Sequence, residues 1–168
     1  MDTILQVKNI NKYYGELAAN YNINLSVKKG SVHAIIGENG AGKSTLMNIL
    51  SGVVEPTSGK ILLNGKKQNF KSAVDAARAG IGMVQQEFML FSGLTVLENI
   101  IIGDENTKAG CFIDLASSEK KIKDICKKYG FSFDLHVNVD DLPVVIQQQI
   151  EIVKVLNREA EINTLDDP

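Results

Sequence analysis

Residues 37–45 read Gly-Glu-Asn-Gly-Ala-Gly-Lys-Ser-Thr, and no other run in the chain restricts the fold as much. The run satisfies G-x-x-x-x-G-K-[ST] through Gly37, Gly42, Lys43 and Ser44. It follows an apolar stretch, Val32-His33-Ala34-Ile35-Ile36, and precedes Leu46, Ile49 and Leu50 at helical spacing. Buried strand, glycine-rich loop, helix is the order that a phosphate-binding loop needs. Glycines accept positive φ and let the backbone approach an anion, while successive N–H groups and the helix N-terminus face it. Gly37, Glu38, Asn39, Gly40, Ala41, Gly42, Lys43, Ser44 and Thr45 are therefore the candidate cradle for ATP. Lys43 would neutralise the β and γ phosphates, and Ser44 would offer its hydroxyl to Mg²⁺. The competing reading is a glycine-rich turn with a solvated lysine.

The rest of the chain reads as α/β with an antiparallel strand layer at its N-terminus. Residues 4–8 and 23–27 alternate apolar and polar side chains, and Lys60-Ile61-Leu62-Leu63 is a short strand between turn signals at Pro56, Gly59 and Asn64-Gly65. Helix starts are predicted at Ser72 with Asp75, at Thr95 with Glu98, and at Ser117-Ser118 before Ile122, Ile125, Cys126 and Tyr129. Ile81-Gly82-Met83-Val84 is a short strand, and a last helix beginning near Pro143 carries Ile146, Ile150 and Val153 on one face. Residues 161–165 then lead into Asp166.

Composition excludes several classes. With 168 residues, 44% of them hydrophobic, the chain can build one domain with a core. A net charge of -2 and a pI near 5.7 leave no electrostatic footprint for nucleic acid or an anionic membrane surface. Met1-Asp2-Thr3 lacks the start of a secretory signal, and nowhere do about 18 apolar residues run together. A cytoplasmic protein, held at a membrane only by a partner, is the expectation. Cys111 and Cys126 form no CxxC pair and have no metal-spaced His cluster, so both are expected as free thiols.

Together with Lys12-Tyr13-Tyr14-Gly15, Gly82-Met83-Val84-Gln85-Gln86-Glu87 and Leu94-Thr95-Val96-Leu97-Glu98-Asn99, the loop gives a pattern that resembles the nucleotide-binding domain of ATP-binding-cassette transporters over essentially the whole chain. The resemblance implies a P-loop NTPase fold with a helical segment, and an ATPase that couples MgATP hydrolysis to transport. It implies that Tyr14 stacks on adenine; packing on the strand surface is the alternative. It puts Gln86, with Gln85 as the fallback, in register for the glutamine that touches Mg²⁺ or the attacking water and senses the membrane subunit. Residues 37–52, the run Gln85-Gln86-Glu87-Phe88-Met89-Leu90 and Asp141-Leu142-Pro143-Val144 look most like importers for simple sugars and nucleosides. The implied partners are transmembrane permease subunits, a second cassette in tandem or in a dimer, and indirectly a periplasmic or lipoprotein solute-binding protein. The protein would then be peripheral on the inner face of the cell membrane. Phe88, Met89, Leu90 and Phe91 form an apolar loop suited to docking on a permease, with burial in the core as the alternative.

Some residues depart from the family pattern. Val145 stands where the clasp on the neighbouring subunit's phosphate has glycine; alternatively this segment is simply a helix start packing its apolar side inward. The strand before the metal-side aspartate contains Asn163 and Thr164, which need hydrogen-bond partners if buried. Asp166 suits a water-mediated Mg²⁺ ligand. Asp167 occupies the place of the family's general base, a glutamate, and is one methylene shorter. The chain is read as one incomplete domain, 1–168, ending just after that strand, and neither His33 nor His136 sits where the family's switch histidine belongs. Both histidines are expected in structural or surface roles. The rival to a transport ATPase is a non-hydrolysing nucleotide-binding remnant or degenerate subunit. A small-molecule kinase with the same loop would leave residues 82–99 and 141–168 unexplained.

Overall fold

A computed structural model describes residues 2–84, 89–105, 107–108 and 112–165, the backbone alone at 107, 108 and 112. The chain divides into two compact units, Met1–Ile81 and Gly82–Pro168.

In the first unit, strands β1 (Thr3–Tyr14) and β2 (Leu17–Lys28) form a long antiparallel hairpin. Helix α1 (Lys43–Leu50) follows, then strands β3 (Ser58–Leu63) and β4 (Lys66–Gln68) and helix α2 (Ala73–Arg78). The sheet has the order β2-β1-β3-β4, with antiparallel pairing throughout. Register pairs Leu5 with Val27, Val7 with Leu25 and Ile10 with Ile23, and it shifts between Val7 and Ile10. There Asn9 and Asn22 take φ of 52° and 50°, a left-handed conformation that asparagine tolerates better than most residues. The Asn9 amide donates to Asn22 Oδ1 at 2.8 Å, tying the irregular positions across the hairpin. Ile4, Leu5, Val7, Ile10, Ile61 and Leu63 of the sheet are buried, as are Leu46, Ile49 and Leu50 of α1. The predicted cap of α2 forms, with the Ser72 hydroxyl accepting from Asp75 N–H.

Residues 32–36 differ from the expectation of a buried strand. Residues 31–38 are irregular, and Val32 and Ile36 are 101% and 93% exposed. An apolar run becomes a central strand only by hydrogen bonding to neighbours on its edges. Among the described residues no strand pairs with this run.

The second unit opens near its boundary with β5 (Ile81–Val84). Helix α3 (Val96–Ile101), a small ribbon of β6 (Thr107–Lys108) and β7 (Phe112–Ile113), helix α4 (Leu115–Tyr129), helix α5 (Val144–Asn157) and β8 (Ile162–Leu165) complete it. Val96 and Ile100 of α3, Ile122 of α4 and Ile150 and Val153 of α5 form one core with Leu135 and Val139. This matches the face read from Ile150 and Val153, with Ile146 packing against it partly buried. α3 begins with the predicted capping box. α4 begins earlier than predicted. Its cap is Asp114, whose carboxylate accepts from Ser117 N–H, because an aspartate three residues before Ser117 fills that role first. Strand β8 pairs with β5, and the buried Thr164 hydroxyl donates to Gly82 O at 3.1 Å while Asn163 is exposed. Each polar residue thus meets its requirement, one by a partner and one by solvent.

Candidate functional site

The loop at 37–42 leads straight into α1, whose N-cap is Gly42 with φ 85°. A Cβ built there would lie 2.1 Å from Ala19 O and 2.6 Å from Asn20 Nδ2, so position 42 excludes every side chain by space as well as by backbone angle. Asn20, 4% exposed, donates from Nδ2 to Gly42 O at 3.0 Å; the same carbonyl accepts from Leu46 N–H at 3.0 Å. Strand β2 therefore holds the loop at the residue where it becomes helix. Asn20 Oδ1 is buried and has no partner among the described residues.

Lys43 folds back across the loop. Its ammonium donates to Gly37 O at 2.7 Å and Glu38 O at 3.0 Å, and Ala41 N–H donates to Glu38 O at 3.1 Å. The result is a closed ring of backbone from 37 to 43 with a cation at its rim. Gly40 also has positive φ, 82°, with open space around it. α1 has neither a side-chain cap nor an acidic residue in its first turn, so no carboxylate of its own competes for an anion there. Asn39, Gly40, Ala41 and Ser44 are exposed. These features fit a bound triphosphate: glycine-lined backbone, a positive helix end and one lysine.

Tyr14 ends β1, paired with Leu17 at the tip of the hairpin. Its ring is 49% exposed, and the Lys12 ammonium lies 5.0 Å from the ring centroid while donating to Glu55 O at 2.9 Å. One hairpin thus carries Tyr14 at its tip and, through Ala19 and Asn20, supports Gly42.

Gln85, Gln86, Asp166 and Asp167 lie outside the described residues, as does Phe88. Their described neighbours are informative. Met89 and Phe91 are 54% and 52% exposed, whereas Leu90 packs partly buried against the core of the second unit. Pro143 caps α5, and the Gln147 amide donates to Val139 O and Leu142 O at 3.2 and 2.9 Å. Val144 and Val145 on its first turn are 59% and 62% exposed. The segment is a helix start, but its valines do not pack inward. His33 is exposed and not in a strand; His136 is exposed, with Nε2 3.2 Å from Glu119 Oε1. Cys126 is a free thiol, its pKa raised by burial. Among the described residues, no group of three His, Cys, Asp or Glu side chains is placed to hold a metal.

Sequence reasoning passed over Asn20, Asn99, Glu151 and Lys154, all buried. The signal for two of them was present: a glutamate and a lysine three residues apart inside the apolar run Ile150-Glu151-Ile152-Val153-Lys154-Val155. Burial lowers the Lys154 pKa, and the Glu151 charge opposes that shift.

The ABC transporter family model matches residues 21–168. The chain is 47% identical over 167 residues to a nucleoside import ATP-binding protein of Lactococcus lactis, covering 99% of this chain and 33% of that protein. It is 45% identical over 168 residues to a guanosine import ATP-binding protein of Bacillus subtilis, covering 100% and 33%. With a ribose import ATP-binding protein of Chelativorans it shares 40% identity over 168 residues, 100% of this chain and 32% of that one. The chain thus spans about a third of the length of these curated relatives. Among solved structures it is similar to an ATP-binding cassette from an ABC transporter (TM-score 0.83, 27% identity, 97% of this chain, 68% of that one). It is also similar to CbiO1 of Clostridium perfringens (TM-score 0.80, 30% identity, 99% and 66%).

Proposed function

Since the chain belongs to the ABC transporter family, we propose that it is the ATP-binding part of an importer for simple sugars or nucleosides, in which MgATP binding and hydrolysis are coupled to solute uptake. The observation that carries this reading is the closed loop on α1, with Gly42 wedged against β2 and the Lys43 ammonium held at the rim by Gly37 and Glu38. Residues 37–45 hold the phosphates, and Tyr14 at the hairpin tip stacks on the adenine. Mg²⁺, when bound, neutralises phosphate charge. Ser44, Gln86 and Asp166 are the residues to hold it, and Asp167 is the base that accepts the proton of the attacking water. The nucleoside branch is favoured, because the nucleoside and guanosine import relatives share more identity with the chain than the ribose import relative does.

Among the described residues no helix is long and apolar enough to cross a membrane; in this reading the chain is coupled to transport by contact with permease subunits. The exposed Met89 and Phe91 are the docking residues in this reading. A second cassette, in tandem or in a dimer, completes the phosphate clasp, and a solute-binding protein acts upstream on the permease. These partners put the protein on the inner face of the membrane.

Calorimetric titration with MgATP of the unmodified chain and of Lys43→Ala tests the reading. Lys43 is the one full positive charge that the motif itself sets against the triphosphate, so the substitution removes most of the binding. Equal affinities would move the nucleotide elsewhere and sink the assignment. One observation favours a second reading, a subunit that binds without hydrolysing: the β-branched Val145 side chain projects from the head of α5, where the family's clasp has glycine.

A further inference from the structure

Two buried charges on α5 both bond the backbone of a single residue, and the Lys154 ammonium also lies 5.7 Å from the centroid of the Phe91 ring. Glu151 and Lys154 are 6% and 7% exposed. Glu151 Oε1 accepts from Met89 N–H at 2.9 Å, and Lys154 Nζ donates to Met89 O at 3.0 Å. Two residues on, Asn99 repeats the pattern with neutral groups, its Oδ1 accepting from Phe91 N–H at 2.7 Å and its Nδ2 donating to Phe91 O at 3.1 Å. The side chains of Met89 and Phe91 are about half exposed, so core packing of those side chains does not account for the hold on their backbone. Nor does stability alone explain the charges, since apolar side chains of similar volume often replace buried charged groups without loss. What apolar side chains cannot do is satisfy an N–H and a C=O together.

We propose that Glu151 and Lys154 are positioning residues, a pair of opposite charges on α5 that grips both backbone groups of Met89 and so ties to α5 the end of the segment that carries Gln86. The proposal rests on the reading above for the role it gives Gln86. The grip itself is a matter of geometry. It is indifferent to the side chain at position 89 and depends on a donor at 154 and an acceptor at 151.

Amide hydrogen exchange, read by NMR on the 168-residue chain, tests it with four variants. In the double variant Glu151→Leu with Lys154→Met, the Met89 amide exchanges faster by about tenfold or more, while the Ile100 and Val153 amides keep their protection. Lys154→Arg, which retains a donor, and Met89→Ala, which leaves the backbone groups in place, keep Met89 protected. Glu151→Gln, which retains an acceptor oxygen and disturbs the core least, speeds Met89 alone and by less. An unchanged Met89 rate in the double variant overturns the proposal. So does a common loss of protection at Met89, Ile100 and Val153 in both the double variant and Glu151→Gln, which would make the pair a prop of the core. MgATP calorimetry on the unmodified chain is read separately: absence of binding sinks the nucleotide reading and leaves the Met89 exchange to judge the grip.

Discussion

At the scale of single residues, Gly42 is the most demanding position in the first unit. Its φ of 85° and the 2.1 Å approach of a hypothetical Cβ to Ala19 O mean that Gly42→Ala both strains the backbone, by roughly 1 kcal/mol, and forces β2 and the loop apart. The expected outcome is a lower unfolding midpoint in urea together with loss of most MgATP affinity. Gly40→Ala, with open space and a φ of 82°, has the backbone strain without the clash. If the two variants bind MgATP equally, the packing of Gly42 against β2 is irrelevant to the site. The motif shows that a glycine is wanted at 42, but only the structure names Ala19 and Asn20 as the atoms that enforce it.

At the scale of elements, α3 offers a clean electrostatic test. Thr95 and Glu98 form a reciprocal box: Glu98 Oε2 accepts from Thr95 N–H at 2.8 Å and from its hydroxyl at 2.7 Å, and the hydroxyl accepts from Glu98 N–H at 3.3 Å. The backbone hydrogen bond first, and the hydroxyl second, hold the Glu98 carboxyl below its ordinary value of 4.5. A carboxylate with a depressed folded pKa contributes stability that is complete above its unfolded pKa and is lost as pH falls through the folded one. The stability difference between the unmodified chain and Glu98→Ala is therefore largest near neutrality and narrows as pH drops below 4.5. Urea midpoints across that range measure it, and a difference that persists at low pH would show that the charge is not what caps the helix. This box was legible because both its residues are local, three apart, next to an apolar run. The opposite case is residues 32–36, where composition suggested a buried strand but the sheet partners that would make one are not a local property.

For the molecule as a whole, the outstanding question is turnover. Val145 projects from the first turn of α5, and Asp167 is a methylene shorter than glutamate; a misplacement of about 1 Å in a catalytic group costs on the order of a hundredfold. On the second reading, a subunit that binds without hydrolysing, the 168-residue chain binds MgATP yet releases phosphate near background, and Asp167→Glu alone recovers little, because groups that act as one constellation are not additive. Release at a rate typical of a cassette ATPase would refute the weight placed on these two residues. The sequence by itself determined what is local: the phosphate-loop motif, the strand signals at residues 4–8 and 23–27, and the helix caps at Ser72 and Thr95. Such features depend on residues a few positions apart, where spacing and side-chain chemistry are enough. Tertiary structure decided which apolar runs are covered, which carbonyls hold Lys43, that Asn20 rather than a hydrophobic contact supports Gly42, and that Glu151 and Lys154 reach back some sixty positions to one peptide unit. Those outcomes depend on which distant groups the fold brings within hydrogen-bond range, and no periodicity in the chain encodes that pairing.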